Sequence, residues 1–211
     1  DPMLESGSEK VSAMGYGNAI NALSDNEGGV AKYFSQRFAQ VTNPPLDSIR
    51  ESDGMTLRVA LGSKSEIKNN KFPQLVINSP ILNFTDFRKI KFQKYTPVKE
   101  FEILYEPDHK NTIANEKILK NRIDIICNEV CDFANKNGGI VILSDINVSK
   151  KQAAIPLVLM VSAVNQSLIQ NGVRLNVSIV IDSGQICSSH HIACALGFGA
   201  SAIYPLSVDL R

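Results

Sequence analysis

Between Gly139 and Pro205 the apolar residues alternate between unbroken runs and helical spacing. Ile140-Val141-Ile142-Leu143 closes on Ser144-Asp145, and Val177-Ser178-Ile179-Val180-Ile181 closes on Asp182-Ser183. Runs of this kind, without polar alternation, predict strands buried on both faces. Between them Pro156 opens a helical stretch through Leu157, Leu159, Met160, Val161, Ala163, Val164, Leu168 and Ile169, and Gly172 stands where a helix stops. Strand, helix and strand make a βαβ unit with a right-handed crossover. A second helix follows, with Ser188 or Ser189 as N-cap, Ile192, Ala193, Ala195 and Leu196 on its apolar side, and Gly197 at its end. A third strand runs from Ala200 to Tyr204, and no closing element is expected after Pro205.

Upstream the pattern is sparser. Residues 1–25 are rich in Gly, Ser and Asn and predict an extended N-terminal arm, leaving 26–211 as the folded domain. Val30, Phe34, Phe38 and Val41 fall at helical spacing, and Asn43-Pro44-Pro45 must end that helix. Asp47 suits the cap of a short turn through Ile49, Arg50 and Glu51. Strands are expected at Met55 to Leu61 and Leu75 to Ile77, with a solvated loop at Gly62 to Lys71 between them. A brief helix is expected at Thr85 to Ile90. Val98 to Tyr105 shows a partial period of two, with Phe101, Ile103 and Tyr105 opposite Glu100, Glu102 and Leu104, the mark of an edge or half-exposed strand. From Asn115 to Asn137, Leu119, Ile123, Ile126, Cys127, Val130, Cys131 and Ala134 predict an amphipathic helix ended by Gly138-Gly139. The element order predicts an α/β fold: a mostly parallel β-sheet or a partial (β/α) barrel-like module with flanking helices.

Composition narrows the partners. The chain has 211 residues, and its 22 basic and 21 acidic side chains leave a net charge of +1, which argues against nucleic acid or an anionic membrane as partner. Apolar windows are interrupted before a membrane-spanning length. Four cysteines in a chain of this size do not make a disulfide framework, so a reducing cytoplasm is the expected compartment.

Candidate chemistry gathers at one rim. In a parallel sheet the carboxyl ends of the strands share one side, where α/β folds bind ligands. Asp145 and Asp182 should lie there, and His190 and His191, at the start of the following helix, approach it. Two acids and two imidazoles could run acid–base chemistry, and carboxylates after strands also serve simply to cap loops. Cys187, His190, His191 and Cys194 resemble metal ligands on a line, but no Cys-x-x-Cys knuckle is present. Cys127 and Cys131 fall in the apolar stripe of their helix and read as core. Gly138-Gly139 and Gly197-Phe198-Gly199 precede strands, the wrong side for a phosphate cradle, and only Gly184 follows one, so no nucleotide or flavin site is expected.

Several blocks resemble one known family. Phe38-Ala39-Gln40-Val41-Thr42-Asn43-Pro44-Pro45-Leu46-Asp47-Ser48-Ile49-Arg50-Glu51 closely resembles a signature of the central domain of the glutamate synthase large subunit. Met14-Gly15, Ala22-Leu23-Ser24, Leu61-Gly62, Ile142-Leu143-Ser144-Asp145, Ala154-Ile155-Pro156 and Gly197-Phe198-Gly199-Ala200 are similar in the expected order. The resemblance implies a large cytoplasmic enzyme that makes glutamate from glutamine and 2-oxoglutarate. Its amidotransferase domain releases ammonia, its FMN-binding barrel with an iron–sulfur cluster reduces the imine, and an electron-donating subunit is a further implied partner. The central domain lies between the two and helps wall the ammonia tunnel. By the same resemblance this chain is an excised, non-catalytic fragment that itself holds no cofactor. Asn43, Pro44, Pro45, Arg50, Asp145, Asp182 and His190 are its candidate interdomain or tunnel contacts. Two departures stand out: Asp182-Ser183-Gly184-Gln185 where the family shows Glu-Thr-Gly-Glu, and Asn165-Gln166-Ser167 in place of a His-rich segment. The competing expectations are a stand-alone α/β enzyme using Asp145, Asp182 and His190 or His191, and a degenerate paralogue that only binds a partner.

Overall fold

The structure, a computed structural model, describes residues 30–34, 45–64 and 73–209. After a 3₁₀ turn at Val30–Tyr33 come α1 (Ser48–Gly54), β1 (Val59–Leu61), β2 (Leu75–Ile77), α2 (Phe84–Phe92), β3 (Val98–Glu102), β4 (Leu104–Tyr105) and α3 (Thr112–Lys136). The second half holds β5 (Gly139–Ser144), β6 (Ala153–Ala154), α4 (Leu157–Gln170), a 3₁₀ turn at Arg174–Asn176, β7 (Val177–Ser183), α5 (Ser189–Gly197), β8 (Ala202–Pro205) and α6 (Leu206–Asp209).

Four strands form one parallel sheet in the order β3-β5-β7-β8. Each strand leads to its neighbour through a helix: α3, then α4, then α5. The two central strands are buried along their whole length, as their apolar runs require. Their alternate residues feed two separate cores. Val141, Leu143, Ile179 and Ile181 pack with Ile126, Val130, Met160, Val164 and Leu168 from α3 and α4. Ile140, Ile142 and Val180 pack with Leu61, Phe87, Ile90, Ala202 and Tyr204 on the other face, where the Phe87 and Tyr204 rings stack 4.7 Å apart.

The mostly parallel sheet with flanking helices is as the pattern predicts, but it does not close into a barrel. The face that would be a barrel's interior is filled by Phe87 and Ile90 of α2, and four parallel strands are half of the roughly eight that a closed barrel uses. Gly139 starts β5 at φ +120°, and a Cβ there would run into the Pro97 carbonyl, which accepts from Ile140 N–H at 2.8 Å. Only glycine lets β5 begin this close to β3.

Several elements differ from their expected bounds. The strand expected from Met55 is confined to Val59–Leu61, because its antiparallel partner β2 is three residues long. The segment Val98 to Tyr105 splits at Ile103, whose N–H bonds Ser144 and whose carbonyl accepts from Ile155 N–H. Leu104, placed with the polar face, is buried and pairs with β6. The helix expected from Asn115 begins at Thr112, where the Asn111 side chain accepts from Ala114 N–H. The helical spacing from Val30 yields a 3₁₀ turn at Val30–Tyr33, and Phe38 and Val41 lie outside the described residues. The short β6 and α6 had no counterpart in the pattern.

Candidate functional site

The rim at the carboxyl ends of β5 and β7 brings Asp145 and Asp182 together, as the parallel order predicts. Ser144 and Asp182 are direct neighbours in register, and Ser144 Oγ donates to Asp182 Oδ2 at 2.9 Å. Asp145 N–H donates to the Asp182 carbonyl at 3.1 Å. Both carboxylates are buried, at 4% exposure for Asp145 and 1% for Asp182.

Asp145 is held by three donors. Its oxygens accept from Ser183 Oγ at 2.6 Å, Gly184 N–H at 2.8 Å and Gln185 Nε2 at 3.0 Å. Gln185 also donates to the Ile155 carbonyl and accepts from Leu157 N–H, each at 3.0 Å. It therefore tethers the entrance of α4, which Pro156 leaves without a side-chain cap, to the rim acid. Asp182 differs from Asp145, because its Oδ1 has no hydrogen-bond partner. Burial pushes its carboxyl above the ordinary range, the Glu100 and Asp145 charges add to that, and the Ser144 hydrogen bond and Lys91 pull it back.

The histidines do other work. His190 Nε2 lies 2.8 Å from the Ala31 carbonyl, which accepts, so that nitrogen carries the proton. The contact binds the Val30–Tyr33 turn to α5, beside an apolar cluster of Ala31, Val158 and Cys194 and an edge-on Phe34–Phe198 pair. His191 Nδ1 accepts from Cys187 N–H at 3.2 Å and helps hold the start of its helix. These two bonds run to Ala31 and Cys187, not to a rim acid. Pro45 and Arg50 are exposed, Arg50 paired with Asp47 at 3.5 Å, and Asn43 and Pro44 lie outside the described residues.

An arginine cluster went unpredicted. Arg174 donates to Asn165 Oδ1 at 2.6 Å and to the carbonyls of Val177 and Gly199, each at 2.8 Å. It clamps α4, at Asn165, to the start of β7 and the turn before β8. Asn165 is its side-chain partner. Nothing in the sequence pairs residues Arg174 and Gly199, which only the fold brings together.

The described residues do not suit a flavin or an iron–sulfur cluster. Gly184, between β7 and α5, spends its N–H on Asp145, so that turn offers no phosphate cradle. Cys127 and Cys131 face the helical core, and among the described residues no group of three or more His, Cys, Asp or Glu could hold a metal ion.

Fold and rim together define a parallel α/β module whose rim carboxylates are bonded to neighbouring serine and glutamine side chains and to the Gly184 backbone. The family model of the glutamate synthase central domain matches residues 1–209, and the chain belongs to that family. A ferredoxin-dependent glutamate synthase of Cyanidium caldarium is 37% identical over 96% of this chain. The chloroplastic ferredoxin-dependent glutamate synthase 2 of Arabidopsis thaliana is 38% identical over 97%, and the NADH glutamate synthase of Schizosaccharomyces pombe is 33% identical over 97%. The chain spans 13% of the length of the first two and 10% of the third. Among the described residues no helix is long and apolar enough to cross a membrane.

Proposed function

We propose that this domain is a spacer in the synthesis of glutamate from glutamine and 2-oxoglutarate, linking the amidotransferase domain to the FMN-binding synthase domain and helping to form the ammonia tunnel. The observation that carries the reading is the inward-tied Asp145, whose two oxygens accept from Ser183 Oγ, Gly184 N–H and Gln185 Nε2. A rim acid held by donors of its own fold is rigid, and rigidity is what a spacer needs to hold two active sites at a fixed separation. Isolation of the path matters because free ammonia in neutral water is protonated and loses its nucleophilic lone pair. FMN and an iron–sulfur cluster belong, in this reading, to other domains of the parent polypeptide. An electron donor is a further partner, and some relatives are named for ferredoxin and another for NADH. The reading keeps the cytoplasm as the compartment, and the chloroplastic name belongs to the relatives that carry it.

The candidate contacts divide by exposure. Exposed Pro45 and Arg50 serve as surface contacts to a neighbouring domain, with Asn43 and Pro44 as candidates from the sequence alone, while the buried Asp145 and Asp182 fix the rim and His190, itself exposed, fixes the Val30–Tyr33 turn. One observation favours a stand-alone acid–base enzyme instead: the buried, hard-to-ionise Asp182, whose Oδ1 has no hydrogen-bond partner. The two readings separate in the full-length polypeptide. A spacer keeps both chemistries in Asp182→Asn, and Arg50→Glu raises glutamine hydrolysis relative to glutamate formed. Loss of chemistry in Asp182→Asn and His190→Ala, with the hydrolysis-to-synthesis ratio unchanged, would favour the enzyme.

A further inference from the structure

Helix α2 presents unlike residues to its two sides. Phe87 and Ile90 are buried against the sheet, while Phe84 and Phe92, at 51% and 64% exposure, face outward. Arg88 stands between them, its guanidinium carbon 5.4 Å from the Phe84 ring centre and 5.7 Å from that of Phe92. Steps of four residues put the three on one stripe, along a shallow groove of about 360 Å³ that Thr85 and Lys89 also line. The neighbouring cations are neutralised within the chain, Lys89 by Asp86 at 3.1 Å and Lys91 by Glu100 at 2.6 Å. Among the described residues Arg88 has no carboxylate partner; its contacts are two ring faces.

We propose that this stripe docks on another domain of the same long polypeptide, through a carboxylate that pairs with Arg88 while apolar side chains beside it close over Phe84 and Phe92. The proposal rests on the spacer reading and names the face that reading leaves open. Two observations select the occupant. The chain accounts for 13% of the length of its relatives, so most of the surface tethered near this helix lies in the remainder of such a polypeptide, at high effective concentration. The charge selects the partner's chemistry: a guanidinium lying over two rings, without a carboxylate among the described residues, can take a carboxylate in a bidentate fork, and aromatic–arginine clusters are the composition that anchors interfaces. A second copy of the chain fits poorly. A two-fold pairing through this stripe would bring Arg88 towards Arg88 with no carboxylate to separate them.

The test uses the full-length polypeptide with a benzophenone amino acid at position Phe92, an exposed site where the change does not threaten folding. Irradiation followed by peptide mapping is expected to give a cross-link within one polypeptide, to a segment outside these 211 residues that carries Asp or Glu. Adding Arg88→Glu should lower its yield several-fold. Cross-links between two copies, or none to any other segment, overturn the proposal, and a yield unmoved by Arg88→Glu overturns the carboxylate pairing. The ratio of glutamine hydrolysed to glutamate formed, measured on the unlabelled polypeptide, tests the spacer reading separately, since either result can fail without the other.

Discussion

Asp182 is a carboxylic acid that folding makes harder to ionise. Burial raises its pKa above the unfolded value, so the folded chain binds a proton that the unfolded chain has released, across the interval between the two values. Stability is therefore full below the ordinary carboxylate range and falls as pH rises through that interval. Replacing the acid by its neutral isostere, Asp182→Asn, removes this dependence. Chemical unfolding of both proteins from acid to neutral pH should show the variant gaining on the parent as pH rises, and parallel curves would refute the assignment. A second residue-scale expectation concerns Cys127, which burial, with the Cys131 and Asp124 charges, pushes up to about 11. Since the thiolate is the reactive form, Cys127 should resist a thiol reagent at neutral pH until the chain is unfolded. Rapid labelling of the native protein at this position would contradict it.

Among the elements, α4 carries the most. Its Leu157, Met160, Val161, Val164 and Leu168 enter the main core, and its amino end is held by Gln185 in the absence of a side-chain cap. Leu168→Ala, at a fully buried position, should cost ~2–5 kcal/mol through lost burial and a cavity. Helix α1 shows the opposite economy. It is exposed throughout its described side chains, and its start depends on Asp47, whose side chain accepts from Ile49 and Arg50 N–H. Asp47→Ala should cost ~1 kcal/mol, mostly as local fraying. Denaturant titrations of the two variants should thus differ severalfold in lost stability, and equal losses would show that α1 is coupled to the core. Both helices were legible in advance, α4 from its apolar spacing after Pro156 and α1 from Asp47. β6 and α6 were not: at two and four residues they are too short to show a period.

For the whole molecule, one face of the sheet carries α3 and α4 while the other is covered by α2 and the β1–β2 pair. Phe84 and Phe92 on α2, and Leu159 and Ile169 on α4, remain in water. Clustered apolar exposure of this kind marks surfaces meant to be covered. The excised chain is expected to bind an apolar fluorescent dye while folded and to associate as its concentration rises, and dye-free, monomeric behaviour at high concentration would contradict that. The sequence by itself determined which segments become the central strands and long helices, because unbroken apolar runs and helical spacing report burial locally. It also placed Asp145 and Asp182 at one rim, because a parallel sheet aligns the carboxyl ends of its strands. Only the tertiary structure decided what those residues do. Ser144 meets Asp182 across 38 positions, Gln185 meets Asp145 across 40, and His190 reaches Ala31 across 159. Contacts at such separations leave no local period in the chain, since they depend on where whole elements come to rest against one another.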